Sequence, residues 1–233
     1  MDSNIKKKPV FSTELAYFIA MIILALGTAF MEAANFGMSM VVAPAYILHL
    51  KISEFLPFFS FGMAEYFLQG VLLVLLSVIL RRFRISYLFS FVTAVLYGFC
   101  LDACIAIVGF LPADGLIFRV IYYIIGMIVC SVGVALFFRT YFCPEAYELI
   151  VAEISKKYNL PVSRVKTVYD CVSCALSIVL SFAFFGFGRF EGVNWGTIVC
   201  ALVNGSIIGL CSKALDASFE WKDCLPLKKY FQK

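Results

Sequence analysis

Histidine is all but missing from this 233-residue chain: His49 stands alone. With no second histidine and no second cysteine pair at ligand spacing, the common zinc patterns are excluded and no metal site is expected. Charge is scarce as well. Charged residues make up 15% of the chain and hydrophobic ones 63%, whereas soluble domains run at about a quarter charged. That deficit excludes an ordinary water-soluble domain. A phosphate-binding loop is also lacking: Gly186, Gly188 and Gly192 flank Phe187, Arg189, Phe190 and Glu191 with no preceding strand. Nor is there a nucleophile–base pair. The expectation is therefore a protein without a cofactor that is not an enzyme.

The net charge of +4 does not mark a nucleic-acid partner, because the basic residues sit at the ends of apolar runs. Nine cysteines are present, yet most lie inside those runs, among them Cys100, Cys104, Cys130, Cys200 and Cys211. They read as small packing residues of membrane helices. Cys171 and Cys174 form a CxxC without partners for a metal.

What the chain has in abundance is apolar runs near the roughly 20 residues that a membrane crossing needs. They cover Glu14 to Ala33, Phe55 to Leu80, Tyr87 to Phe110, Leu116 to Phe138, Val162 to Phe187 and Asn194 to about Ala214. The basic start and first apolar run resemble a signal peptide, but no small-residue cleavage site follows, so a retained first helix is expected. The fold class is an all-α membrane protein with the lipid bilayer as its surroundings. Between the first two runs, Asn35 to Lys51 is short and broken by Gly37 and Pro44, which predicts a re-entrant or interfacial piece.

The longest polar passage runs from Phe142 to Asp170. Pro144 with Glu145 and Glu148 makes a good helix start. Ala146, Leu149, Ile150, Val151 and Ile154 then keep helical spacing, which predicts an amphipathic helix at the membrane surface, stopped by Asn159-Leu160-Pro161.

Six crossings with both termini in the cytoplasm put Lys6, Lys7, Lys8, Arg81, Arg82, Arg84, Arg139, Lys156 and Lys157 on the inner side. Arg164, Lys166, Lys213, Lys222, Lys228, Lys229 and Lys233 fall there too. Only Lys51, Arg119 and Arg189 fall at the outer end, as the positive-inside rule requires. Arg119 has Asp102 or Asp114 as candidate partners at that end.

Sliding the chain on itself by a little over a hundred residues aligns Gly27-Thr28-Ala29-Phe30 with Gly133-Val134-Ala135-Leu136. Leu56-Pro57 then aligns with Leu160-Pro161, Glu65 falls close to Asp170, and Leu96-Tyr97-Gly98 lies over Val203-Asn204-Gly205. With three crossings in each half, the second half is inverted, an arrangement common among secondary transporters. The organisation read from this is a first repeat over 1–110, a second over 111–215 and a cytoplasmic tail over 216–233.

Ionisable groups at membrane depth cost about 2.5–3.5 kcal/mol on insertion scales, so each needs a reason. Glu65 and Asp170 are expected near mid-membrane, facing one another across the two-fold, where paired carboxylates suit proton or cation binding. The competing reading makes each a structural acid bonded to a neighbouring helix. Glu145, at the start of the polar helix, and Asn204 complete the candidate substrate- or proton-binding set. Gln69 and Asn194 are further polar groups for interhelical bonding or a cavity wall.

The Pro-Glu-Ala-Tyr-Glu-Leu helix, the Asn-Leu-Pro-Val-Ser-Arg-Val-Lys stretch, Asp170 and the Asn194-Trp195-Gly196-Thr197-Ile198…Asn204-Gly205 helix together resemble the bacterial YczE/YyaS/YitT-type integral membrane proteins. The resemblance spans about Glu14 to Leu215 and departs in the first half, where GMSMVVAP replaces a glycine-rich turn. It implies a multi-pass protein of the bacterial inner membrane and carries no assigned substrate.

Taken together, the expectation is a transporter or channel-like protein for a small solute or ion, with or without proton coupling, and with a site at the repeat interface. The excess of acids over buried bases favours a cationic or zwitterionic solute, or proton coupling. The alternative is a scaffold or accessory protein that transports nothing and acts through a partner. The small residues of GTAF and GVALF would then offer faces for such a contact, a homodimer included.

Overall fold

The computed structural model describes residues 8–37, 39–59, 61–81, 83, 85–112 and 115–226. Among these residues eight α-helices form: α1 (Thr13–Ala34), α2 (Ala43–Ser53), α3 (Phe61–Leu80), α4 (Phe89–Val108), α5 (Leu116–Phe137), α6 (Ala146–Tyr158), α7 (Val162–Phe185) and α8 (Trp195–Ser218). All except α2 and α6 are long and apolar enough to cross a membrane. The protein is an all-α, multi-pass membrane protein. Its outward faces carry Phe67, Val74 and Val78 of α3, Phe99 and Ile107 of α4, and Val168, Val172 and Val179 of α7. Lipid rather than water solvates such faces.

Local chemistry sets the helix ends. Ser12 caps α1 by accepting a hydrogen bond from the Leu15 amide, and Asn35 ends it in the left-handed conformation. Asn194 and Thr197 form a reciprocal capping box at the start of α8. The order long, short, long, long is the same in α1–α4 and in α5–α8.

At the centre, α1 and α5 make the most extensive contact in the molecule. Glycines allow it. A Cβ on Gly27 would meet the Cys130 backbone nitrogen at 2.5 Å, and one on Gly133 would meet the Leu24 nitrogen at 2.8 Å. The GTAF and GVALF stretches expected to offer an outward face are thus used inside the chain. Tyr17, Ala20, Met21 and Leu24 pack there with Val134, Ala135 and Phe137.

The six long helices alternate direction, which gives the bundle two ends. One gathers the start of α1 and the ends of α3, α5, α6 and α8. There β1 (Val10–Ser12) pairs in parallel with β2 (Glu220–Lys222), and Arg139 is salt-bridged to Asp216. Glu14 accepts hydrogen bonds from the Tyr141 hydroxyl at 2.8 Å and the Leu225 amide at 2.8 Å, fastening the start of α1 to the segment after α5 and to the residues after β2. Arg81, Lys156 and Lys157 also lie at this end. Lys6, Lys7, Arg82, Arg84, Lys228, Lys229 and Lys233 fall outside the described residues. At the other end, Arg119 of α5 donates to the carbonyls of Ala34 and Asn35, both at 2.8 Å, and its guanidinium lies over Phe36. It anchors the end of α1. Of its two candidate partners, Asp102 and Asp114, the second lies outside the described residues.

Both short helices nest against the same two long ones, α3 and α7. The six spans fall where the apolar runs predict them, with one displacement: α3 starts at Phe61 rather than Phe55. Pro57 and the turn closed by Phe59 onto Leu56 occupy the intervening residues.

Candidate functional site

The site begins with α6. Its approach, Tyr141 to Glu145, is drawn into the bundle: the Thr93 hydroxyl of α4 donates to the Cys143 carbonyl at 2.7 Å and contacts the Tyr17 hydroxyl of α1 at 2.7 Å. The first half of α6 is enclosed. Glu145, Ala146, Tyr147, Glu148 and Val151 are all buried. This corrects the expectation of a helix lying on the membrane surface. Only its far end is peripheral, where Lys157 donates to the Ile79 carbonyl and Glu153 accepts from Tyr87. The apolar spacing that suggested an interfacial helix instead serves packing against α3, α4 and α7.

On one flank of α6 lies an ion cluster. Lys166, two per cent exposed along its side chain, pairs with Asp170 at 2.9 Å and with Glu148 at 3.5 Å. Asn204 of α8 donates to the other Asp170 oxygen at 3.4 Å and accepts from Ser131 of α5 at 2.9 Å. Four elements are thereby joined through one buried polar chain. A cation in the cluster matters because a carboxylate out of water needs a partner.

On the other flank lies a cavity of about 490 Å³. Glu65 and Gln69 enter it from α3, Glu145 and Tyr147 from the start of α6, and Thr28 and Tyr97 from α1 and α4. Gly37, Ser39 and Val42, just before α2, close its far wall, and Glu32 and Asp102 stand at its more open margin. Tyr147 donates to Glu65 Oε2 at 2.6 Å, and Tyr97 donates to Thr28 at 2.9 Å. Three buried oxygens in the wall have no partner: Glu65 Oε1, Gln69 Oε1 and Glu145 Oε1. Buried polar atoms in folded proteins are nearly always paired, so three unpaired acceptors set this wall apart from the rest of the interior. Burial, and then the Glu148 and Glu65 charges, push the Glu145 carboxyl well above the usual carboxylate range.

The four residues singled out from sequence are therefore split. Glu65 and Glu145 edge the cavity; Asp170 and Asn204 belong to the ion cluster behind it. Glu65 and Asp170 do not face one another as a pair. Glu65 sits one turn into α3 and Asp170 two turns into α7, and Asp170 has its own counter-ion. Lys166 is the residue that sequence reasoning missed, having been taken as a marker of membrane side. Its spacing four residues before Asp170 on a helix was the available signal. Tyr147 and the buried position of Glu148 were missed as well. Among the described residues, no group of three histidine, cysteine or acidic side chains is placed to hold a metal ion.

The fold and this cavity define a polytopic membrane protein with an acid-edged internal chamber. A model of a family of unknown function, DUF6198, matches residues 11–213, and the chain belongs to that family. No curated protein matches the chain. No solved structure matches it either.

Proposed function

We propose that this protein moves a small solute or ion across the membrane, with the solute bound in the cavity edged by Glu65, Gln69 and Glu145. The observation that carries the reading is the set of three unpartnered buried oxygens in that wall. A scaffold has no use for them, because each costs about 1–3 kcal/mol when left unpaired. The two non-crossing helices support the same reading. Both α2 and α6 start beside the cavity, and helices that begin within a membrane bundle are tolerated where they border a chamber.

Within this proposal, α1–α4 and α5–α8 are two inverted three-crossing repeats, and the cavity lies at their interface. Asp170, itself bonded by Asn204, holds Lys166 in place beside α6, and protons exchanging on the buried acids couple the movement. The orientation with both termini in the cytoplasm, the bacterial inner membrane and kinship to the YczE/YyaS/YitT-type proteins complete the reading. It describes a carrier and not an enzyme.

The test is flux in proteoliposomes that enclose a pH-sensitive dye, challenged with inward gradients of cationic, zwitterionic, neutral and anionic solutes. Wild type is expected to move at least one class, with Glu65→Gln inactive. Absence of flux for every class would overturn transport and leave the partner-binding scaffold as the better account.

A further inference from the structure

We infer that the occupant of this cavity is a small organic ammonium ion bearing N–H donors. Its head group is held by Glu65, Gln69 and Glu145, and its hydrocarbon part lies against Met31, Val42 and Leu101. The inference rests on the reading of the cavity as the solute site and names the class of solute.

Charge excludes an anion. Among the described residues, the cavity wall carries the acids Glu32, Glu65, Asp102 and Glu145 and no lysine, arginine or histidine. The nearest buried cation, Lys166, is committed to Asp170 and Glu148. Among the described residues, no ion pair reaches Glu65 or Glu145. The wall therefore presents acidic groups and hydrogen-bond acceptors, and no positive charge, to whatever enters.

Size and donor chemistry exclude a bare metal ion. A chamber of about 490 Å³ is in the range of organic ligand pockets. No metal-competent group of side chains occurs among the described residues. Between the polar groups, the wall is hydrocarbon.

Hydrogen bonding narrows the class further. The unpartnered atoms Glu65 Oε1, Gln69 Oε1 and Glu145 Oε1 are all acceptors on separate side chains. Gln69 is 4% exposed and Glu145 5% exposed, so both side chains are shut off from bulk solvent. A primary ammonium carries three N–H donors and supplies a positive charge with them. A quaternary ammonium of the same shape supplies the charge and no donor, leaving the three oxygens as they are.

The test is binding to the full chain in lipid nanodiscs, read by titration and by shift in melting temperature. The probes are 2-phenylethylammonium, its N,N,N-trimethyl analogue, phenylacetate, potassium and magnesium. The primary ammonium is expected to bind at least about tenfold tighter than its trimethyl analogue, and phenylacetate and the inorganic cations not to compete. Glu65→Gln and, independently, Gln69→Leu are expected to weaken the primary ammonium by roughly tenfold and to narrow its lead over the trimethyl form. If either variant fails to fold, the ranking of probes on wild type still decides. Equal binding of the trimethyl analogue, preference for phenylacetate, or no binding of any ammonium would overturn the inference. Should another class bind in a manner that Glu65→Gln abolishes, the cavity remains the solute site and only the ammonium assignment falls. Binding indifferent to both variants would remove the site as well.

Discussion

Tyr147 donates its hydroxyl to Glu65 at 2.6 Å, tying the first turn of α6 to α3 across the edge of the cavity. The bond fixes one carboxylate oxygen and leaves the other free to meet a solute. It also links a helix that does not cross the membrane to one that does. Any movement of α6 relative to α3 must break or carry this bond.

Tyr147→Phe is expected to remove the hydroxyl donor from Glu65 and to destabilise the protein by about 1–3 kcal/mol, the usual cost of a lost partner at a buried polar group. Combining it with Glu65→Gln should cost less than the sum of the two single changes, because the amide brings its own donor and carries no charge. Unfolding midpoints of the four proteins in one detergent measure the coupling. Strict additivity would mean that the bond contributes nothing to stability.

Lys166 holds α6 to α7 by ion pairing rather than by apolar contact. Lys166→Met is therefore expected to destabilise by about 3–5 kcal/mol, since Asp170 would remain buried without a counter-ion. Adding Asp170→Asn to Lys166→Met should recover most of that loss. The melting temperatures of the single and double variants decide. A double variant no better than Lys166→Met alone would show that Lys166 acts through Glu148 instead.

How far the sequence foretold this arrangement varies from residue to residue. The six spans were legible because a crossing leaves a long apolar run, and α5 falls at Leu116–Phe137 where that run predicts it. The start of α3 was not, because Phe55 to Phe59 are as apolar as the helix and hydropathy alone cannot tell a loop from a turn of helix. Glu65 and Glu145 were legible as acids that needed a reason. The burial of α6 was not, since a polar helix with an apolar face reads the same whether that face meets lipid or α3 and α7. The pairing of β1 with β2 was hidden for another reason: three-residue strands carry no periodicity, and only the alternating crossings bring Val10 beside Glu220.

The α1–α5 contact depends on the absence of side chains at its closest points. Gly27→Val is expected to push α1 from α5, because even a Cβ would meet backbone at 2.5 Å. The cost should be about 1–3 kcal/mol or a failure to fold. Gly98→Val is the control: its Cβ would meet nothing within 4 Å, so its effect should stay near the helix-propensity change alone, within about 1 kcal/mol. Equal damage from both would refute the idea that close approach at Gly27 is what joins the two helices.

Glu145 provides the pH dependence. Its carboxyl is pushed well above the ordinary value of 4.5, first by burial and then by the Glu148 and Glu65 charges, with Lys166 opposing. A raised folded-state value means that the folded protein holds a proton the unfolded chain has released. The stability this contributes is complete below about pH 4.5 and is lost as pH rises toward the folded value. Other ionisable groups around the start of α6 titrate or bear charge too: Glu65 from α3, Tyr97 from α4, Tyr147 and Glu148 on α6, and Lys166, Tyr169 and Asp170 from α7. The difference between wild type and Glu145→Gln isolates the one group. The two are expected to melt together at pH 4 and to separate as pH rises, with Glu145→Gln the more stable at pH 8 by several degrees. A Glu145→Gln protein that is less stable at every pH would mean that Glu145 is ionised in the fold and that attraction to Lys166 outweighs its burial.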